Sequence, residues 1–381
     1  MKHKIAIVRG KFLNRYEMQF FEPLVKRFDI TGFGSWTCYH DTFAFPVVKL
    51  LSPADVPDFP YKMSILNRLF IDAHYLFGLE SRLRGYDLVH TAETYFHYTA
   101  QCLDAKRKGY VKKVVATVLE NIPYNNESIW GRKSLKAAAR QELDHIIALT
   151  NKTKDALVVE GADPEKITII PHFVDTKRFF PRAHRKSSFL IILYAGRLEE
   201  HKGVFDVLDA ARILVQDPEL VGYALKFMFV GDGSRKPEMQ IKERTLGLES
   251  HVIHRSIPYN DMPQVYQLAD IFVAPSKAEY RYGRMTWEEQ YNTSLLEAQA
   301  SGLAIVTTRS GGIPENVGDA AMLINPGEVA ELTRVIKRFI LNRKLRAEFG
   351  HRARHRALTV HDAKIGAGKI ADLYEHVLAQ P

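Results

Sequence analysis

Two basic residues follow an apolar run in the second half of the chain. The run covers residues 189–195, and Gly196, Arg197 and Lys202 come directly after it. An apolar run of this length is typical of a buried strand, and a helix is expected to begin near residue 203. A guanidinium and an ammonium group beside a helix start are suited to binding a diphosphate, because the helix dipole also favours an anion there. The alternative, two solvated side chains in a surface loop, is equally open at this point.

A second apolar run ends in a glycine turn. Residues 226–230 are followed by Gly231, Asp232 and Gly233. Glycine at the end of a strand lets a ligand approach the backbone closely. The same residues are common in turns that bind nothing, and taken alone this second interpretation is the favoured one.

A pair of glutamates separated by seven residues is the third candidate. Glu289 precedes a segment predicted to be helical, and Glu297 lies inside it. Asn292, Thr293 and Ser294 would give this helix a capped amino end, where a phosphate could bind between the two carboxylates. However, Ser294 and Glu297 also have the spacing of a capping box, which requires no ligand. Taken alone, the capping box is the favoured explanation of Glu297.

These candidates belong to a chain that alternates short β-rich runs with longer amphipathic segments. In the first half, strands are predicted at residues 4–8, 29–32, 87–90, 114–118, 146–149 and 167–171. Helices are predicted between them, at residues 17–27, 64–84, 95–106 and 132–142. A second series of strands is predicted at residues 189–195, 226–230, 271–274 and 304–307. Short apolar strands separated by helices indicate parallel sheets that are covered on both faces.

Two successive series of this kind indicate an α/β protein with two doubly wound domains. Each domain should have a ligand-binding edge at the carboxyl ends of its strands. The length of 381 residues also favours two domains. We place the linker at residues 171–186, which contain two prolines and a basic, polar finish. The predicted domains are residues 1–175 and 176–360, followed by a helix at 361–381 that would be able to return to the N-terminal domain.

The composition is that of a globular protein. Hydrophobic residues make up 46% and charged residues 25%, which argues against disorder and against a coiled coil. The only two cysteines, Cys38 and Cys102, form no metal-like pair, so a reducing cytoplasm is the predicted location. No apolar stretch has the length needed to span a bilayer. A formal net charge of +9 favours an acidic partner, whether nucleic acid, anionic lipid or a phosphorylated small molecule.

The order of the candidate motifs is more informative than any one of them. After the basic loop and the glycine turn come Pro275 and Ser276, then the glutamate pair followed by Ala-x-Ala-x-Gly, then Ser-Gly-Gly-Ile-Pro-Glu at 310–315. This order resembles the retaining glycosyltransferases of family 4, most strongly over residues 189–327. The resemblance implies the GT-B fold, in which two Rossmann-like doubly wound domains face each other across a cleft. It also implies that residues 176–360 bind a nucleotide-sugar donor and that residues 1–175 form the acceptor side.

The resemblance implies a role for each matching residue. Arg197 and Lys202 would hold the donor diphosphate, and Glu297 would hydrogen-bond the nucleotide ribose. Glu289 would meet the hydroxyls of the transferred sugar near the reacting carbon. The other donor-binding candidates are Gly231, the helix start at Asn292, Thr293 and Ser294, which would face the phosphates, and Ser256 and Ile257, which would meet the base.

Three departures from the family pattern affect the predicted site. The first loop lacks the usual Gly-Gly pair, and Arg15 could supply positive charge there instead. Many relatives carry a histidine after the fourth predicted strand, whereas here Glu120 or Asn121 would take the polar role. The segment 279–288 is longer than usual and would form either a flap over the donor or merely an inserted loop. The predicted catalytic set is Glu289, Arg197, Lys202 and Glu120.

The predicted function is transfer of a hexosyl unit, with retention at the anomeric carbon, from a nucleotide-sugar to an unidentified glycan, lipid or small molecule. Arg197, Lys202 and the helix start would stabilise the charge on the departing phosphates. The sequence has no Asp-rich metal box, so no metal and no further cofactor are expected. A GT-B-like nucleotide-sugar epimerase is one alternative, and a non-enzymatic basic binding protein is another. Nucleic acid is not an expected partner, because RNP aromatics, zinc-ligand spacings and a helix-turn-helix signal are absent.

Basic residues in the first half of the chain bear on the acceptor. Arg132, Lys136 and Arg140 recur every four residues in a predicted helix and should share one face. A second basic cluster consists of Lys106, Arg107, Lys108, Lys112 and Lys113. Both groups would be solvated surface in one interpretation. In the other, they grip a phosphorylated acceptor or attach the domain peripherally to anionic lipid on the inner face of the membrane, where each contributes roughly 1 kcal/mol.

Overall fold

Strands and helices alternate along the chain in the computed structural model, which describes residues 2–70, 72–182 and 188–380. These elements belong to two units, Met1–Phe173 together with Ala363–Pro381, and Val174–Asp362. We call them the N-terminal and the C-terminal domain. Residues 183–186 of the predicted linker lie outside the described residues.

The N-terminal domain contains a seven-stranded sheet in the order β3-β2-β1-β4-β5-β6-β7, and every neighbouring pair is parallel. Its strands are β1 Lys4–Gly10, β2 Asp29–Ser35, β3 Val47–Leu50, β4 Tyr86–Ala92, β5 Val111–Val118, β6 His145–Ala148 and β7 Ile167–Ile169. Residues 5–8 of β1 are buried on both faces, as expected for a parallel strand between two layers of helices. The sequence did not predict β3, because Pro46 and Lys49 interrupt its short apolar run.

Two predicted helical segments of this domain differ from the structure. The helices that cover the sheet are α1 Arg15–Met18, α2 Lys62–Leu69, α3 Leu79–Arg82, α4 His97–Arg107, α5 Arg132–Glu142 and α6 Asn151–Val159. The segment 17–27 is not one helix, because Pro23 lacks an N–H group and a separate 3-10 helix forms over Glu22–Lys26. The segment 64–84 is also broken, and Leu76 pairs its backbone N–H and C=O with the side chain of Gln101 instead.

The C-terminal domain contains a six-stranded parallel sheet in the order β10-β9-β8-β11-β14-β15. The strands of this domain in chain order are β8 Leu190–Ala195, β9 Leu225–Val230, β10 Val252–Arg255, β11 Ile271–Ala274, β12 Glu279–Arg281, β13 Arg284–Trp287, β14 Ala304–Thr308 and β15 Met322–Ile324. Strands β12 and β13 form a separate antiparallel hairpin. The prediction missed β10 and β15, which are short strands at the two edges of the sheet.

The remaining helices complete both domains. Those of the C-terminal domain are α7 Val204–Val215, α8 Lys236–Thr245, α9 Met262–Leu268, α10 Thr293–Ala300, α11 Ile313–Val317, α12 Val329–Leu341 and α13 Arg343–Thr359. The last helix, α14 Ala363–Ala379, packs in the N-terminal domain, where the Tyr374 hydroxyl lies 2.6 Å from His90 Nδ1. No helix in the described part of the chain is long and apolar enough to cross a membrane.

Both sheets have a point at which the strand order reverses. It lies between β1 and β4 in the N-terminal domain and between β8 and β11 in the C-terminal domain. Loops on the two sides of such a point leave in opposite directions and open a crevice at the carboxyl ends of the strands. Groups that bind ligands are therefore expected in the loops after β1, β4, β8 and β11.

Candidate active site

Two glycines hold the loop after β8 close to the loops after β9 and β11. Gly203 has a φ of 74°, and a Cβ atom there would lie 2.2 Å from the carbonyl oxygen of Pro275. Gly231 has a φ of 140°, and a Cβ atom there would lie 2.0 Å from the carbonyl oxygen of Gly196. A side chain at either position would collide with backbone atoms. Glycine at both positions therefore lets the three loops converge at the point where the strand order reverses.

An ion pair joins the loop after β8 to the segment that precedes α10. Lys202 Nζ lies 2.7 Å from Glu289 Oε2, and the two side chains are only 15% and 6% exposed. The same carboxylate oxygen accepts hydrogen bonds from Ser276 Oγ at 2.8 Å and from Asn292 Nδ2 at 3.4 Å. Burial lowers the pKa of Lys202, while the neighbouring Glu289 carboxylate opposes this shift by favouring the ammonium form. Two predicted site residues thus form a buried pair of opposite charges.

Arg197 lies in the same loop as Lys202. Its side chain is exposed, and its positive charge contributes to the lowered pKa of Lys202. The loop is fixed beneath it, because the Tyr194 hydroxyl donates a hydrogen bond to the Arg197 carbonyl oxygen at 2.6 Å. The structure therefore brings Arg197, Lys202 and Glu289 together at the carboxyl edge of the C-terminal sheet.

Helix α10 begins too early for the predicted capping box. Its first residue is Thr293, and the residue before it, Asn292, adopts a left-handed conformation with a φ of 58°. Within the described part of the chain no side chain caps this helix start, and Ser294 Oγ instead donates a hydrogen bond to Asn292 Oδ1 at 2.6 Å. The predicted capped amino end and the capping-box explanation of Glu297 are therefore both wrong. An amino end without a side-chain cap favours the binding of an anion.

Glu297 is buried on α10 and contacts two tyrosines. The hydroxyls of Tyr259 and Tyr266 donate hydrogen bonds to its two carboxylate oxygens at 2.7 Å and 2.8 Å. Burial raises the pKa of Glu297 to about 7, although both hydrogen bonds favour the charged form. Ser256 and Ile257 follow β10 and lead directly to Tyr259, so they lie at the same edge of the sheet. Sequence reasoning missed both tyrosines, because a hydroxyl that reaches a distant carboxylate leaves no local motif.

The segment 279–288 forms the β12–β13 hairpin, whose base packs on the loop after β8 and whose tip is exposed. The Trp287 ring centroid lies 4.2 Å from that of His201, and Lys202 Nζ lies 4.5 Å from the Trp287 centroid. His201 also faces Glu279 at 3.6 Å. The hairpin is therefore anchored beside Lys202. Trp287 is a site residue that the sequence pattern did not single out.

Three further candidates lie at the carboxyl edge of the N-terminal sheet. Glu120 follows β5, and it accepts hydrogen bonds from the side-chain amides of Asn125 and Asn126 at 2.9 Å and 3.0 Å. Burial raises the pKa of Glu120, and the neighbouring Asn121 is buried as well. Arg15 is the first residue of α1, and its Nε donates to a backbone carbonyl in the loop after β2 at 3.1 Å.

The basic face predicted on α5 exists but is not exposed. Arg132 Nη2 lies 2.7 Å from the fully buried carboxylate of Asp72. Glu160 pairs with Lys136 at 2.6 Å and with Arg140 at 2.9 Å. These residues form neither a solvated surface nor a membrane-docking face, because acidic side chains from distant parts of the chain cover them. Helical periodicity predicts which residues share a face, but it does not predict what packs on that face.

The second basic cluster is largely paired as well. Ion pairs join Lys106 and Lys113 to Asp144, Arg107 to Glu142 and Lys112 to Asp87. These carboxylates belong to the same domain and offset most of the positive charge that the sequence pattern suggested. The cluster is therefore a set of local ion pairs, each of which contributes little to stability at the surface.

Two family models match the chain. "Glycosyl transferases group 1" matches residues 175–356, and "Glycosyltransferase Family 4" matches residues 38–178. One similar protein is the MMP alpha-(1->4)-mannosyltransferase of Mycolicibacterium hassiacum, 28% identical over 79% of this chain and 73% of the relative. Another is the D-inositol 3-phosphate glycosyltransferase of Paenarthrobacter aurescens, 28% identical over 75% of this chain and 69% of the relative.

Solved structures share the fold. HepE from Anabaena in complex with UDP matches with a TM-score of 0.76 and 17% identity, over 99% of this chain and 100% of that chain. Sucrose-phosphate synthase from Thermosynechococcus elongatus matches with a TM-score of 0.78 and 18% identity, over 99% and 100%. Two parallel-sheet α/β domains that match these structures define the GT-B fold. The chain belongs to glycosyltransferase family 4, as the two family models, covering residues 38–356 between them, also indicate. The predicted fold class and family are confirmed.

Proposed function

We propose that this chain is a retaining glycosyltransferase that transfers a hexosyl unit from a nucleotide-sugar donor. The C-terminal domain would hold the donor and the N-terminal domain the acceptor. The observation that carries the proposal is the contact between Lys202 and Glu289, 2.7 Å apart in the loops where the strand order reverses. The proposal is also supported by HepE, which this chain resembles in fold and which was solved in complex with UDP-glucose.

The donor diphosphate is assigned to the loop after β8 and to the start of α10. Arg197 and Lys202 provide two positive charges, and the backbone N–H groups at Thr293 and Ser294 provide the helix dipole. An ammonium group has three donors, so Lys202 can bind a phosphate oxygen while it keeps its contact with Glu289. These groups would stabilise the negative charge that develops on the leaving nucleoside diphosphate in the transition state.

The two glutamates are assigned to different parts of the donor. Glu289 would accept hydrogen bonds from hydroxyls of the transferred sugar near the reacting carbon. Glu297 would accept them from the ribose, in exchange for the hydroxyl of Tyr259. Ser256 and Ile257, which follow the neighbouring edge strand, would meet the base. Supporting positions in the same proposal are Gly231 and Asn292 in the C-terminal domain and Arg15, Glu120 and Asn121 in the N-terminal domain.

The proposed reaction draws its positive charge from side chains and needs no separate cofactor, so a chelator such as EDTA should leave its rate unchanged. A cytoplasmic location is part of the proposal and is supported by the free thiols of Cys38 and Cys102. Peripheral attachment to the membrane is not part of it, because Arg132 and Lys136 are buried.

Product analysis tests this function. The protein is incubated with UDP-, GDP- and ADP-sugars together with a panel of sugar and cyclitol acceptors, and the products are identified by mass spectrometry and NMR. We expect release of one nucleoside diphosphate and a glycoside with the anomeric configuration of the donor. A glycoside of inverted configuration would contradict retention. A new nucleotide-sugar without any glycoside would identify an epimerase.

Replacement of Trp287 by Ala should weaken binding of UDP, GDP or ADP, whichever the protein binds, by about threefold to tenfold. The reason is that the indole ring lies beneath Lys202 Nζ at 4.5 Å and restricts its position. Calorimetric titration measures the effect. Tyr282→Ala, at the exposed tip of the same hairpin, is the matched control and should bind like wild type. Equal affinities for Trp287→Ala and wild type would show that the hairpin does not position Lys202.

A further inference from the structure

Glu93 occupies an unusual position directly after β4, where the order of the N-terminal strands reverses. Its backbone has a φ of 59°, in the left-handed region that residues other than glycine rarely adopt. The conformation is held from both sides, because its N–H donates to the Thr117 carbonyl at 2.8 Å and its own carbonyl accepts from the Thr99 hydroxyl at 2.9 Å. Such conformations persist where the surrounding structure enforces them, and they are frequent at binding sites.

The side chain of Glu93 is buried, and its two oxygens differ in their hydrogen bonding among the described residues. Oε1 accepts a hydrogen bond from the backbone N–H of Leu119 at 2.9 Å. No hydrogen bond from the described residues reaches Oε2, although this atom is also buried. A buried carboxylate oxygen without a hydrogen bond costs folding free energy. Binding of a ligand or of a proton at Oε2 would remove this cost.

A second carboxyl group lies beside it. Burial, and after it the charge of Glu120, raises the pKa of Glu93 to about 8. Glu120 is better supported as an anion, because it accepts hydrogen bonds from Asn125 and Asn126. The other titratable neighbours are Lys136, which favours the ionised form of both carboxyls, and the phenols of Tyr95 and Tyr98, whose pKa burial raises. Glu93 accepts fewer hydrogen bonds than Glu120 and has the pKa that burial raises to about 8, so we assign the proton to Glu93 and the charge to Glu120.

We propose that Glu93 and Glu120 form the acceptor subsite, in which Glu93 Oε2 donates a hydrogen bond to one hydroxyl of a polyol and Glu120 accepts one from the neighbouring hydroxyl. A neutral acid beside a carboxylate offers one donor and one acceptor, which matches two adjacent hydroxyls of a sugar or cyclitol ring. Tyr95 and Asn126, which are partly exposed, neighbour the pair. This inference rests on the proposed glycosyltransferase function and names its acceptor class.

The test compares Glu93→Gln, Glu93→Met and Glu120→Gln in transfer from UDP-glucose and GDP-mannose. The acceptor probes are myo-inositol, D-glucose and D-mannose, and n-propanol serves as the probe without a vicinal diol. Glu93→Met and Glu120→Gln should raise the acceptor KM about 10-fold to 100-fold, the effect of one lost buried hydrogen bond. Glu93→Gln keeps an N–H donor, so it should recover most of this loss, with a KM roughly threefold above wild type.

The pH profile separates a ligand contact from a structural role. Wild type should lose acceptor affinity as the pH rises through about 8, where Glu93 ionises, whereas Glu93→Gln should show no such loss. The fold itself loses stability as the pH rises from the ordinary glutamate pKa of 4.5 to about 8, since only the unfolded chain is ionised there. Glu93→Gln should therefore melt at a higher temperature than wild type, with a difference that grows over this range and then levels off.

The outcomes distinguish this inference from the proposed function. UDP or GDP affinity should be the same in all these variants, because the nucleotide is assigned to the other domain. A wild type that binds no nucleoside diphosphate contradicts the proposed function itself. A wild type that uses n-propanol as well as the polyols, or none of the polyols, overturns the acceptor class. A Glu93→Met variant with the wild-type acceptor KM overturns the role of Glu93.

Discussion

Glu289→Gln is expected to slow sugar transfer by roughly 10²-fold to 10³-fold while the affinity for nucleoside diphosphate stays within about threefold of wild type. The carboxylate is 2.7 Å from Lys202 and accepts a hydrogen bond from Ser276 at 2.8 Å, so its position is fixed before any ligand binds. Glutamine keeps the shape but removes the negative charge that would stabilise the reacting sugar. Steady-state kinetics and calorimetric titration of the same preparation measure the two quantities.

Two further variants serve as comparisons for Glu289→Gln. Ser276→Ala removes only one neutral hydrogen bond to the Glu289 carboxylate and should lower the rate less than about tenfold. Glu297→Gln should have the opposite pattern, with weaker nucleotide binding, because this carboxylate is assigned to the ribose. If Glu289→Gln instead abolished nucleotide binding and left the rate at saturation unchanged, the division of roles between the two glutamates would be wrong.

Arg132→Met should destabilise the N-terminal domain by about 3–5 kcal/mol. The guanidinium lies 2.7 Å from Asp72, whose side chain is wholly buried, and its removal would leave that buried carboxylate to the His74 ring at 3.0 Å and the backbone N–H of His97 at 3.0 Å. A loss of this size lowers the melting temperature by roughly 10 °C in a domain of this length. Differential scanning calorimetry measures the shift.

The neighbouring residue on α5 provides the control. Lys133 is exposed, and Lys133→Met should change the stability by less than about 0.5 kcal/mol. If Arg132→Met melted at the wild-type temperature, Arg132 would not be a buried partner of Asp72, and the exposed basic face predicted from the sequence would again be possible.

The sequence predicted most of the parallel strands because buried strands such as β1 and β11 are continuous apolar runs. It failed at β10 and β15, whose edge positions relax the need for apolar residues on both faces. It also failed between residues 69 and 79, where the side chain of Gln101 replaces the backbone partners that a helix would use. This replacement of backbone partners by a side chain depends on a contact between residues far apart along the chain. The periodicity of apolar residues carries no information about such contacts.

The candidate residues of the C-terminal domain could be found from the sequence because each follows a strand in a fixed order. What the sequence did not contain was their partners. The Lys202–Glu289 ion pair joins positions far apart along the chain, and so does the contact of Glu297 with Tyr259. The same limitation explains why the basic face of α5 was predicted to be exposed. No local sequence pattern indicates that Glu160 and Asp72 pack on this helix.

Binding of a nucleoside diphosphate tests the central claim most directly. UDP, GDP and ADP are titrated calorimetrically into wild type, Arg197→Ala, Lys202→Ala and the control Arg244→Ala, whose side chain is exposed on α8. We predict that wild type and Arg244→Ala bind one of the three equally well, and that Arg197→Ala and Lys202→Ala each bind it about tenfold or more weakly, as expected for loss of a charged hydrogen bond. Wild-type affinity in both loop variants, or no binding of any of the three by wild type, would contradict the assignment of a donor site to the C-terminal domain.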